Sequence, residues 1–212
     1  MKNPALRCAV TALLLLGWCP AHAADSYWYS GLGIGYSKVQ FYPADFTAVG
    51  ASFESKKEFD AGFKGFLGQQ INRNWAAEVS YVSLGKFKFN GFDPSANPVQ
   101  AVYKVTGWGF SALPTINFTD NLALYGRLGG FFSQTRTTIY DTNAGTNNGG
   151  RQSDEVSFLT GIGAQYFFGG DSGVRVEFEN FGKVGEACPS SSPCRTGRAN
   201  AKMISVNAIF AF

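Results

Sequence analysis

The chain has 212 residues, with 18 basic and 15 acidic side chains, 26 glycines and an aromatic content of 16%. A net charge of +3 with no clustered lysines or arginines gives no footprint for nucleic acid. After residue 23 no apolar run approaches the roughly 20 residues of a spanning helix, which excludes an inner-membrane helical bundle.

The first 23 residues read as an export leader. Lys2 and Arg7 precede the short apolar run "CAVTALLLLGWC", and Ala21-His22-Ala23 offers small residues for cleavage. A lipoprotein signal ending at Cys19 is the rival reading, but Trp18 is bulkier than the small residue such a signal carries there. With cleavage after Ala23, residues 24–212 form a single domain holding 16 basic and 15 acidic side chains. His22, the only histidine, departs with the leader. That removes the commonest general base and metal ligand, so neither enzyme nor cofactor nor metal site is expected.

Beyond the leader the hydrophobic pattern has period two almost throughout. Eight strands are predicted, in order Ser26–Val39, Lys57–Gln70, Trp75–Phe89, Val99–Ile116, Asn121–Thr138, Asp154–Phe168, Gly173–Val184 and Ala199–Phe212. Most are long enough for a tilted strand to cross a bilayer, which takes about 9–11 residues. Tight turns at 71–74, 118–121 and 169–173 alternate with longer polar loops at 40–56, 90–98, 137–153 and 185–198. Short turns at one end and long loops at the other are the habit of membrane barrels. "GLGIG" at Gly31–Gly35 has glycines spaced like a nucleotide loop, but it lies inside a strand with no helix after it. Close packing or bending is the better account.

The seventh predicted strand is the sharpest indicator of orientation: Val174, Val176 and Phe178 alternate with Arg175, Glu177 and Glu179. Charges facing lipid cost about 2–4 kcal/mol each for a midplane arginine, so in a membrane they must face inward. A lipocalin-like soluble barrel would use the same alternation with its faces exchanged. Trp28, Trp75, Phe118, Tyr166, Phe168, Phe210 and Phe212 gather at the short-turn end, as an interfacial girdle does, and favour the membrane. Hydrocarbon demands that every backbone polar group be paired, so the last strand should close on the first, with both termini periplasmic. Cys188 and Cys194 flank five residues in the last loop and are expected to form a small disulfide in an oxidising compartment.

"LYGRLGG" (Leu124–Gly130), "GIGAQYFF" (Gly161–Phe168), "VRVEFENFGKVG" (Val174–Gly185) and "MISVNAIFAF" (Met203–Phe212) resemble, in order, the strands of the eight-stranded transmembrane domain of outer membrane protein A. The resemblance implies an all-β, antiparallel up-and-down barrel integral to a Gram-negative outer membrane. Its partners would be lipid, lipopolysaccharide and the outer-membrane assembly machinery, for which Phe210 and Phe212 resemble the recognition signal. A monomer is expected. The periplasmic peptidoglycan-binding domain of larger members is not expected here. The family's internal charge network matches Glu78, Arg127, Arg175 and Glu177, and alternation places Lys64 beside them. Glu78–Arg175 and Arg127–Glu177 are the expected pairs. The family's exchangeable lysine and glutamate partners align with Leu113 and Gln165, which argues against a gate that swaps partners. Three functions follow: a structural barrel with at most a narrow plugged pore, a surface adhesin using its outer loops, or, remotely, a lipid-modifying enzyme. Asp154 and Glu155, the candidate carboxylate pair for the last, point to opposite faces and read as a solvated rim.

Overall fold

The computed structural model describes residues 26–41, 52–92, 98–141, 147–168, 170–186 and 197–212. Nine strand segments follow one another: β1 (Tyr27–Phe41), β2 (Ser52–Lys57), β3 (Phe59–Asn72), β4 (Trp75–Phe92), β5 (Pro98–Asn117), β6 (Leu122–Asp141), β7 (Asn147–Phe167), β8 (Ser172–Val184) and β9 (Ala199–Ala211). All pairings are antiparallel; β1 pairs with β3 and β2 with β4, the later segments pair with their chain neighbours, and β9 returns to β1, where Ile34 faces Val206. The Trp28 and Phe212 backbones exchange hydrogen bonds of 2.8 and 3.1 Å at the end of that seam. The sheet is therefore a closed up-and-down barrel of eight staves. β2 and β3 form one stave broken at Glu58, above which β2 stays paired only with β4.

The eight predicted strands correspond to the eight staves, with boundaries corrected toward the loop end. The segments 40–41, 52–56, 90–92, 139–141 and 147–153, read as loop, are strand. Thr137 faces the lumen while Arg136 and Gln152 are exposed on the outer wall, so polar residues occupy both faces and leave no apolar alternation, yet the strands still pair across the ladder. The tight turns are held by side chains of their own: Asn72 Oδ1 accepts the Asn74 N–H (2.9 Å) and Thr119 Oγ1 accepts the Leu122 N–H (2.9 Å). Residues 1–25, including the predicted leader, and residues 187–196, including Cys188 and Cys194, lie outside the described residues.

Orientation is unambiguous. Arg175 and Glu177 are 1% exposed, whereas Val176 and Phe178 are each 45% exposed. The seven aromatic residues expected to form the turn-end girdle are all outward and exposed. A second belt, not anticipated from the sequence, circles the loop end of the apolar band. Tyr36 stacks on Phe59 (5.4 Å), while Tyr81–Trp108 and Phe110–Phe132 meet edge to face at 5.2 and 5.7 Å.

Candidate functional site

The lumen is filled by side chains in two tiers. In the tier nearer the turns, β3 supplies Lys64, β4 supplies Glu78, β6 supplies Arg127, and β8 supplies Arg175, Glu177 and Glu179 at every second position. All six are buried. Lys64 Nζ lies 2.6 Å from Glu177 Oε2 and 2.8 Å from Glu179 Oε1. Arg127 Nη2 bridges Glu78 Oε1 and Glu177 Oε1, at 2.6 Å each, and its Nε is 3.2 Å from Glu179. Arg175 Nη1 reaches Glu78 Oε2 at 2.6 Å. Three cations thus meet three carboxylates. The balance follows from desolvation, since each buried ion costs several kcal/mol unless its partners are close and well aligned.

Neutral groups take up part of the remaining hydrogen-bonding capacity; Arg175 Nε and Glu179 Oε2 make no hydrogen bond among the described residues. Tyr125 donates to Glu177 Oε1 (2.5 Å), Tyr29 to Glu78 Oε2 (3.2 Å), and Asn207 Nδ2 to Glu177 Oε2 (3.2 Å). Arg127 Nη1 donates to Ser111 Oγ (2.7 Å) and Arg175 Nη2 to Gln165 Oε1 (2.8 Å). The Arg175 guanidinium also lies over the rings of Phe66 (4.6 Å), Tyr29 (5.0 Å) and Tyr125 (5.0 Å), an arrangement worth most where water is absent. Room for the two phenols comes from inward glycines: a Cβ on Gly68 would collide with the Tyr29 ring, and one on Gly163 with Tyr125.

The structure brings Lys64, Glu78, Arg127, Arg175 and Glu177 into one cluster, with Glu78–Arg175 and Arg127–Glu177 in direct contact. Sequence reasoning left Glu179, Tyr29, Tyr125 and Asn207 out of the network. Glu179 was findable, because it continues the inward run of Arg175 and Glu177. Tyr125 lies two residues before Arg127 on the same face, but a tyrosine at a strand end reads equally well as girdle. Of the two positions where the sequence departs from the family's exchangeable pair, Leu113 is buried in the small apolar cluster at the turn end, and Gln165 is a partner of Arg175.

The tier nearer the loops reverses the expectation that the interior is polar. Val39, Val82, Leu84, Phe87, Tyr103, Val105, Phe131, Leu159, Phe181, Val184, Ala199, Ala201 and Met203 pack there as one buried cluster. Phe131 and Phe181 meet at 4.8 Å between centroids. Tyr103 donates its hydroxyl to the Val184 carbonyl at 3.3 Å. At the opposite end an open vestibule of about 560 Å³, lined by Tyr27, Gln70, Asn74 and Asn117, runs in as far as Gln165. Its inner end is Gln165, whose side-chain oxygen accepts from Arg175.

The OmpA-like transmembrane domain family matches residues 23–212. The chain belongs to that family. It is 28% identical to outer membrane protein A of Serratia marcescens over 194 residues and 26% identical to that of Escherichia coli O157:H7 over 190, with 88% of this chain covered in each case. The match takes in 51% and 49% of those proteins, so the chain spans about half the length of the curated relatives. Among solved structures, Neisserial surface protein A superposes over 87% of this chain and 97% of its own, with a TM-score of 0.51 and 13% identity, a likeness of fold. Within the OmpA-like family the chain is an integral outer-membrane barrel: its apolar band faces acyl chains and its ionised residues face one another.

Proposed function

We propose that this OmpA-like barrel is a structural element of the outer membrane whose lumen is sealed, contributing to envelope integrity rather than to transport or catalysis. The observation that carries the reading is the double filling of the interior. A balanced six-ion cluster closes the turn-side half, and a buried apolar cluster closes the loop-side half. An eight-stranded barrel has an interior that side chains can fill completely. An ion crossing it would have to displace paired charges and then shed its hydration against Phe131, Phe181 and Leu159.

The rest of the reading stands with it. Residues 1–23 act as the export leader and residues 24–212 as the barrel. The outward Phe210 and Phe212 on the β9 side serve as the assembly signal, and the barrel works as a monomer with its short turns in the periplasm. Purified, refolded protein in planar bilayers is expected to give no discrete conductance steps, while cells lacking it become more sensitive to detergent. Reproducible steps from the wild-type protein would overturn the sealed lumen.

A further inference from the structure

The outer wall carries a charge arrangement that the plug does not use. On the loop side of the second aromatic belt, Lys86 of β4 pairs in register with Lys104 of β5, and Lys104 with Arg136 of β6. Three cations therefore stand side by side on adjacent strands, all exposed, with flanking residues Phe87, Tyr103, Val105, Thr135 and Thr137 buried in the lumen. Lys88, two residues above Lys86, pairs with Lys57 of β2 in a second like-charge match. Directly opposed like charges on a sheet repel each other, so such a row costs stability in the isolated barrel.

Neighbouring groups do not neutralise it. Among the described residues no carboxylate forms an ion pair with Lys86, Lys88, Lys104 or Arg136, and Arg136 makes only a 3.5 Å hydrogen bond to Gln152. Asp60 is engaged with the Lys57 ammonium at 3.8 Å and with the Lys86 backbone N–H at 2.7 Å. Asp154 is outward but lies opposite Gln134, on the membrane side of the row. The other rim of the barrel carries no such excess, with Arg73 set against Asp120 and Asp171.

The geometry points to a binding site, on the outer wall of β4–β6, for the headgroup of an outer-leaflet lipid that bears more than one phosphate. Height, width and chemistry agree on this occupant. Lys104 is four residues above Trp108 on the same strand, so with a strand tilt near 45° the row sits roughly 9 Å to the water side of the belt, at headgroup level. Across three strands it spans about 10 Å, more than a single phosphate covers but within reach of two carried on one headgroup. Arg136 offers a fork that binds phosphate bidentately, and the lysines offer point charges. Below the row lies a surface hollow of about 350 Å³ of mixed lining: Tyr81, Trp108, Phe132 and Val156 offer apolar surface to the acyl chains of the same lipid, while Gln134, Asp154 and Glu155 form its polar side. The site goes beyond the sealed-lumen reading and does not depend on it, because it lies on the opposite face of the wall.

Native mass spectrometry of the full refolded chain in detergent, without divalent cations, tests it with diphosphorylated lipid A as probe. The wild-type protein is expected to retain one such lipid, monophosphorylated lipid A more weakly, and phosphatidylcholine least. The triple variant Lys86→Gln, Lys104→Gln, Arg136→Gln is expected to bind about tenfold or more weakly. A second triple variant, Lys38→Gln, Lys183→Gln, Lys202→Gln, loses the same charge from the far wall, where Lys38 and Lys202 are also opposed in register but Asn180 in place of a third cation flanks Lys202. It is expected to change binding less than about twofold if the three-cation row rather than net charge decides. Retained heat-modifiable migration certifies that each variant is folded. Equal weakening by both variants, no weakening by the first, or full competition by an equal concentration of inorganic phosphate would each overturn the site.

Discussion

The two halves of the lumen solve one problem by opposite chemistry. The turn-side tier packs six ions whose charges cancel, and every ion there depends on a particular neighbour within about 3 Å. The loop-side tier packs Phe, Leu, Val and Tyr, whose cohesion is spread over many weak contacts. Both exclude water, but they should fail differently. A cluster of ions is intolerant of losing one member, because the partner left behind is a buried unpaired charge. An apolar cluster loses only the atoms removed and the cavity they leave.

The largest expected effect follows from that contrast. Replacing Arg127 by Met would strand Glu78, Glu177 and Glu179 against two cations, and should lower unfolding stability by about 3–5 kcal/mol in urea titrations followed by the folded-to-unfolded gel shift. A loss below about 1 kcal/mol would show that water reaches the tier and screens it. Next comes Phe181→Ala in the other tier, expected to cost about 3 kcal/mol by the same assay. If conductance steps appear in Phe181→Ala but not in Arg127→Met, the apolar tier is the tighter seal; the converse pattern assigns the seal to the ions.

A smaller effect sharpens the boundary between the tiers. Gly85 has φ of 93°, and a Cβ there would lie 2.6 Å from the Ala61 carbonyl oxygen and from Asp60 Oδ2. Gly85→Ala should cost about 1–2 kcal/mol, and more if the bulge straightens and turns Lys86 toward the lumen. The smallest concerns neither tier: Tyr36→Ala, which removes the outward stack on Phe59, should cost about 1 kcal/mol in lipid vesicles. An effect as large as that of Phe181→Ala would mean that the belt, rather than the lumen, dominates the stability of the barrel.

Much of the barrel was legible in the chain because period-two alternation reports which face meets hydrocarbon. β8 alone separated Arg175 and Glu177 from Val176, the aromatic girdle then decided which face turns inward, and the alternation of short turns with long loops already implied a closed up-and-down sheet. Lys64, Glu78 and Arg127 followed from the same parity. The strand extensions at 139–141 and 147–153 were not legible, since a short end and a polar run such as NNGGRQS carry no hydrophobic rhythm. The partners of each ion were only partly so: the pairing of Lys64 with Glu179 depends on how β3 and β8 face each other across the lumen.

Sequence by itself determined that this protein is a membrane-facing β-barrel with charges turned inward, because burial in hydrocarbon imposes one rule on every second residue of a strand. Only the tertiary structure decided where that rule changes phase. At Gly85 in β4 and Gly182 in β8, residues with φ of 93° and 69° form bulges that insert one residue into the ladder. Simple alternation from Glu78 would carry Lys86 and Lys88 into the lumen. The bulge instead sends both lysines to the outer wall and Phe87 inward, and that of β8 does the same for Lys183 and Val184. An extra residue in one strand reverses the faces of everything after it. That reversal adds Phe87 and Val184 to the apolar tier and sets Lys86 on the outer wall beside Lys104 and Arg136, from stretches whose sequence pattern reads without a break.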